Sequence, residues 1–136
     1  MSIYFVFGPL DITQSEFESH YIPQLENALK DSSAKFVVGD ARGADFMAQV
    51  YLADKKADVT VYHMKHSPLH YVPGLKKVGG FQNHNAKDTA MTLASTSDIW
   101  WERSEDEKRQ LYGSEYRKRK SGTQKNVERR KKNFVA

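Results

Sequence analysis

The chain has 136 residues, 39% hydrophobic and 28% charged, with 21 Lys/Arg against 17 Asp/Glu and no cysteine. That length suits one domain, residues 1–136, with enough chain to bury a core. No apolar run approaches the ~18 residues of a membrane span. The lack of cysteine excludes a disulfide framework, Cys-ligated zinc and thiol catalysis. The opening Met1-Ser2-Ile3-Tyr4-Phe5-Val6-Phe7-Gly8 has no basic leader and no small-residue cleavage site, so a signal peptide is not expected. The expectation is a cytoplasmic protein without a membrane partner.

Ile3 to Phe7 is a short apolar run closed by Gly8-Pro9, the pattern of a strand buried on both faces. Ser15 with Glu18 three residues on reads as a capping box. Phe17, Tyr21, Leu25 and Leu29 then recur every four residues, predicting a helix of roughly 15 residues. Pro23 should kink that helix or break it into two. Lys35-Phe36-Val37-Val38 predicts a second strand, and Ala44 to Asp54 a helix with Phe46, Val50 and Ala53 on one face. Val59 to Tyr62 predicts a third strand. Residues 63–81, with two prolines and three glycines, have loop composition. Ala86 to Ala94 predicts a helix, and Asp98 to Trp101 a fourth strand. The charged insertion 104–120 has weak helical character around Glu105 to Leu111. Gln124 to Lys132 predicts a last helix, with Asn133 to Ala136 as a short final strand.

Alternating strands and helices imply an α/β, three-layer, Rossmann-like domain: a mainly parallel central sheet with helices on both faces. Ligands of such sheets bind outside the carboxyl ends of the strands, where strand order switches. Those ends hold the unusual residues. Gly39-Asp40-Ala41-Arg42-Gly43-Ala44-Asp45 joins a strand to a helix, and its glycines let backbone N–H groups approach an anion. Arg42 could grip phosphate or carboxylate, while Asp40 and Asp45 suit capping, ribose hydroxyls or Arg42 itself. Ser121-Gly122-Thr123 opens a helix with hydroxyls and free amides, the other candidate phosphate seat. An ordinary capping loop explains either segment equally simply. His63, His66 and His70 are expected to line a pocket or face solvent rather than hold a metal, because no carboxylate ligand stands near them. Of Trp100 and Trp101, one should be core and the other could stack on a base. Asp11, Asp40, Asp45, Asp98 and Glu102 lie at or near strand ends, where any could act in glycosidic cleavage.

Charge is uneven. Residues 1–100 carry 9 basic and 11 acidic residues, a net of −2, whereas residues 101–136 carry 12 and 6, a net of +6. The excess sits in Arg117-Lys118-Arg119-Lys120 and Arg129-Arg130-Lys131-Lys132. It points to phosphate among the partners, as a nucleotide or a nucleic acid, or else to a solvated helix end.

Together, Phe7-Gly8-Pro9, Gly39-x-Ala41-Arg42-Gly43-Ala44-Asp45, Gly79-Gly80, Lys87-Asp88-x-x-Met91, Asp98, Trp100-Trp101 and Ser121-Gly122-Thr123-x-x-Asn126 resemble a known pattern. It is that of the small stand-alone YspA-type branch of the SLOG superfamily. That superfamily also contains the LOG phosphoribohydrolases, molybdenum-cofactor carrier-like proteins and the DNA-processing protein A core. The resemblance implies a pocket for a nucleotide or nucleotide-derived ligand, lined by Gly8, Pro9, Gly39, Asp40, Ala41, Arg42, Gly43, Lys87, Asp88, Ser121, Gly122 and Thr123. It also implies a homodimer or larger homo-oligomer, and no further cofactor or metal is expected. The LOG motif Pro-Gly-Gly-x-Gly-Thr-x-x-Glu ends on a glutamate that contributes to catalysis, and Asn126 stands at its place here.

Three functions compete. The leading one is a sensor, carrier or sequestering protein for a nucleotide-like molecule. The second is a hydrolase of an N-glycosidic bond in a nucleotide or nucleoside, with Asp45, Asp88 or Asp98 as the catalytic acid. The third is a nucleic-acid binder using the basic C-terminal segment.

Overall fold

The five strands β1 (Ile3–Val6), β2 (Lys35–Val38), β3 (Asp58–Met64), β4 (Lys76–Phe81) and β5 (Ser97–Ile99) all run parallel, in the order β4-β3-β2-β1-β5. The structure is a computed structural model and describes residues 1–134. Building from β1, three strands extend to one side and β5 returns to the other. The order therefore switches between β1 and β5, where Val6 lies opposite both Val38 and Ile99.

Alternate residues of the strands feed two layers, as a pleat with period two requires. Val6, Phe36, Val38 and Val61 pack with Phe17 of α1 (Gln14–His20), Leu25 of α2 (Ile22–Leu29), and Ala48 and Leu52 of α3 (Ala44–Asp54). Phe5, Phe7 and Val37 face the opposite way, against Met91 of α4 (His84–Ala94) and Val127 of α6 (Gly122–Phe134). Helices thus cover both faces of an all-parallel sheet, the three-layer arrangement expected from the alternation. A short helix α5 (Glu105–Tyr112) and a 3₁₀ turn (Gly113–Glu115) bridge β5 to α6.

Several local expectations change. The first capping box is Thr13 with Glu16, not Ser15 with Glu18: Glu16 N–H donates to Thr13 Oγ1 (3.1 Å) and Thr13 N–H to Glu16 Oε1 (2.9 Å). Thr13-x-x-Glu16 fits the same motif two residues earlier and lets Phe17 point into the core. The helix breaks at Tyr21, one residue before α2, whose first turn contains Pro23. On α3 the buried face is Ala44, Ala48, Gln49 and Leu52, while Val50 is 49% exposed. The helix packs through small residues, which let it lie close to the sheet, so the bulkier Phe46 and Val50 turn outward.

Lys76–Phe81 is an edge strand, although its composition reads as loop. Gly79 has a positive reason to be glycine: a Cβ there would lie 2.0 Å from Cε1 of His63, whose buried imidazole fills the space. The connection between β3 and β4 is not a helix. Gln49 holds it instead, donating to Gly39 O (3.0 Å) and His70 O (2.9 Å) and accepting from Val72 N–H (3.0 Å). β5 ends at Ile99, so both tryptophans lie beyond it. Trp101 stacks on His20 at 4.2 Å and packs on the core, and the 39% exposed Trp100 lies parallel to Phe7 at 6.5 Å. At the other end, Asn133 and Phe134 continue α6 rather than begin a strand; the rest of that expected strand, residues 135–136, lies outside the described residues.

Candidate functional site

The carboxyl ends of β1, β2 and β5 open into a cavity of about 970 Å³. Its near wall is Phe7-Gly8-Pro9 after β1, and Ala41, Arg42 and Asp45 follow β2. Lys87, Asp88 and Met91 come from α4, Glu102 and Arg103 follow β5, and Ser121, Gly122 and Thr123 start α6. The cavity sits at the switch in strand order, where the ends of neighbouring connections diverge.

Tyr21 fixes the mouth of that switch. Its hydroxyl donates to Phe7 O (2.7 Å) and accepts from Trp101 N–H (3.1 Å), joining the ends of β1 and β5. A Cβ on Gly8 would stand 1.7 Å from that oxygen, so only glycine lets the clamp form. Burial holds the Tyr21 phenol well above its ordinary pKa of 10.0, and it stays neutral. Gly43 caps α3 with φ +76°, and Ala44 N–H donates to Pro9 O (3.1 Å), which draws the β1 turn onto the helix start.

The floor of the cavity is acidic around one lysine. Lys87 is 3% exposed and pairs with the buried Asp40 at 3.2 Å. The other Asp40 oxygen accepts Leu69 N–H at 2.9 Å. Both charges are thereby matched, and removing either would strand the other in a poorly solvated place. Asp45 accepts Ala41 N–H at 3.2 Å, and its Oδ2 lies 2.5 Å from where a Gly39 Cβ would be. Burial drives its pKa from 3.8 up to about 7, against the pull of Lys87 and the Ala41 amide. Asp88 also rises, again through burial, opposed by Lys87, Arg129 and a hydrogen bond from Asn126. Asp45 and Asp88 thus both line the cavity as carboxyls whose pKa burial raises.

Cations and free amides come from the start of α6 and the loops beside it. At the start of α6, Ser121 and Gln124 cap each other, Gln124 N–H to Ser121 Oγ at 3.0 Å and Ser121 N–H to Gln124 Oε1 at 3.2 Å. The Gly122 and Thr123 amides remain without a carbonyl inside the helix, as first-turn amides do. Arg42, Arg119 and Lys125 line the cavity and enter no ion pair among the described residues.

A latch closes the far side. Arg103, 7% exposed, donates to both Glu16 carboxylate oxygens (2.6 and 2.8 Å), to Asp11 Oδ1 (2.9 Å) and to Asp11 O (3.1 Å). Tyr112 of α5 donates to the other Asp11 oxygen at 2.5 Å. Hydrogen bonds from Arg103 hold Glu16 below its ordinary pKa; for Asp11, those from Tyr112 and Arg103 outweigh the upward push of burial. α5, which buries no side chain of its own, is fastened over the cavity by these contacts.

Of the residues expected at the site, Gly8, Pro9, Ala41, Arg42, Asp45, Lys87, Asp88, Ser121, Gly122 and Thr123 line one cavity. Gly39, Asp40 and Gly43 stand behind its wall, Asp40 as the partner of Lys87. Asp98 does not join Asp45 and Asp88: it accepts from Arg130 of α6 at 2.7 and 3.0 Å. The histidines also stay apart. His63 lies under Gly79, His70 packs on Phe46 and His66 is exposed. Sequence reasoning missed Tyr21 as a polar clamp, because its fourfold spacing reads as core, and missed Arg103, four residues beyond the end of β5. Asn126 was visible only as the last residue of Ser-Gly-Thr-x-x-Asn. Among the described residues, no helix is long and apolar enough to cross a membrane. Comparison with protein-family models, with curated proteins and with solved structures finds no match for this chain.

Proposed function

We propose that this protein binds a nucleotide or nucleotide-derived small molecule in the β1/β5 cavity, as a sensor, carrier or sequestering protein. The observation that carries the reading is that one cavity gathers cations and helix-start amides together with the carboxyls of Asp45 and Asp88. Arg42 and the Gly122 and Thr123 amides suit phosphate, and Asp45 and Asp88 suit ribose hydroxyls. About 970 Å³ lies at the upper end of the roughly 300–1,000 Å³ range of small-molecule sites. The phosphate belongs at the α6 end in this reading. In the Gly39–Gly43 turn, the Ala41 amide is already taken by Asp45, and the adjoining Ala44 amide by Pro9. The resemblance to SLOG proteins supports the same ligand class. Isothermal titration against nucleotides and ADP-ribose derivatives tests it: binding that weakens at least tenfold in Arg42→Ala is expected, and no binding at millimolar concentration refutes it.

A second reading, hydrolysis of an N-glycosidic bond, is favoured by one observation. Asp45 has a pKa of about 7 inside the cavity, the range in which a carboxyl serves as general acid and then base near neutrality. Release of free base from nucleoside monophosphates, abolished in Asp45→Asn, would support it. Release unchanged by that substitution, or no release by the wild type, would exclude Asp45 from such a role.

A further inference from the structure

We infer that the ligand carries a row of phosphates, running out of the cavity along the outer face of α6, and is not a simple nucleoside monophosphate. This rests on the nucleotide reading above and names the class of nucleotide.

A second hollow of about 520 Å³ adjoins the first and is lined by Asn85, Lys120, Lys125, Glu128, Arg129 and Lys132. Four of these six, Asn85, Lys120, Lys125 and Arg129, also line the main cavity, so the two hollows form one continuous trench. The trench leaves the cavity at the end where the phosphate is expected.

Its cations are spaced along a line. Lys125, Arg129 and Lys132 stand at i, i+4 and i+7 of α6, which puts them on one face of the helix. At ~1.5 Å of rise per residue the row spans about 10 Å. One phosphate reaches only partners about 3 Å from its oxygens, so it cannot engage the whole row. Successive phosphates can. Arg129 is steadied for the task, donating to Asn126 and to Asn85 Oδ1 at 2.9 Å. The acid that lines the second hollow, Glu128, is occupied by Lys120 at 2.8 Å. Lys125 and Lys132 are exposed and in no ion pair among the described residues. A nucleoside polyphosphate and the 5′ end of a short oligonucleotide share the required chemistry, a nucleoside followed by phosphates in series.

The test is titration of the full chain at several salt concentrations with three probe sets: the four nucleoside monophosphates, the matching triphosphates, and 5′-phosphorylated trinucleotides of each base. The control pair is Lys132→Glu, inside the trench, and Lys131→Glu, the same charge change on an exposed neighbour that lines neither hollow. The expected result is at least tenfold tighter binding of triphosphates or trinucleotides than of monophosphates at low salt. Lys132→Glu should remove most of that gain and lower the salt slope by about 0.7–0.9 per lost phosphate contact. It should leave monophosphate binding unchanged, and Lys131→Glu should leave all three probe sets nearly unchanged. A gain confined to triphosphates identifies a polyphosphate, and one confined to trinucleotides an oligonucleotide end. Equal affinity for all three sets, or equal loss in the two variants, overturns the inference and leaves the nucleotide reading standing. No binding by any probe overturns both.

Discussion

Asp45→Asn should make the protein more stable at neutral and alkaline pH. Folding moves this carboxyl from its ordinary pKa of 3.8 to about 7, chiefly by burial. Between those values the folded chain holds more protons than the unfolded chain, so stability must fall as pH rises through that window. A shift of that size corresponds to about 4 kcal/mol once the group is ionised in both states. Asp45 as a residue is only partly buried, and the effective screening at such sites reduces the effect to about 1–2 kcal/mol. Asparagine preserves the shape and still accepts the Ala41 N–H, which Asp45 takes at 3.2 Å. Urea denaturation of both proteins from pH 3 to pH 8 is the assay. Coincident curves below pH 4 and a variant more stable by about 1–2 kcal/mol at pH 8 are expected. A difference independent of pH, or a variant weaker throughout, would show that Asp45 is not held as a proton-binding group by burial.

Further substitutions probe the frame around the cavity. Thr13→Ala should cost about 1 kcal/mol in urea melts and Ser15→Ala almost nothing, because only Thr13 caps α1. Arg103→Met should cost about 1–3 kcal/mol and flatten the acid limb of the stability curve. The reason is that Asp11 and Glu16 titrate below their ordinary values, giving stability present above about pH 4.5 and lost as pH falls through the lowered values. Tyr21→Phe leaves Phe7 O and Trp101 N–H without their partner and should cost about 1–3 kcal/mol. Gly8→Ala should be more damaging alone than in the Tyr21→Phe background, because the hydroxyl 1.7 Å from the new methyl is then gone. Additive costs would refute that coupling.

What the sequence made legible follows the strength of its periodicities. Lys35–Val38 and Ala44–Asp54 have the bounds their patterns predict, since an apolar run between turn residues leaves few choices. The parallel sheet with helices on both faces also follows from alternation alone. The face of α3 was not legible: Phe46, Val50 and Ala53 outweigh alanines on any hydrophobicity count, but close packing on a sheet selects small side chains. Nor was β4, because glycine is a poor strand former unless a neighbour such as His63 fills its missing side chain, and that neighbour is fixed only by tertiary structure. At the site, spacing marked the strand ends correctly but could not say which carboxylates meet. Asp45 and Asp88 line one cavity, whereas Asp98 turns to Arg130 on a helix thirty-two positions away.

The same distinction resolves the uneven charge. The net +6 of residues 101–136 is not a uniform basic coat, for several of its cations are consumed in the fold. Arg103 latches α1, Lys108 pairs with Glu102 at 3.2 Å, and Arg130 is gathered in by Asp98, Thr92 O and Ser95 O. Of the others, Arg119, Lys125, Arg129 and Lys132 lie along one trench, whose cavity end also holds carboxyls contributed by the acidic first hundred residues. The cavity thus gathers helix-start amides, cations and carboxyls whose pKa burial raises. In the proposed reading, phosphates meet the cations and amides, and ribose hydroxyls meet Asp45 and Asp88.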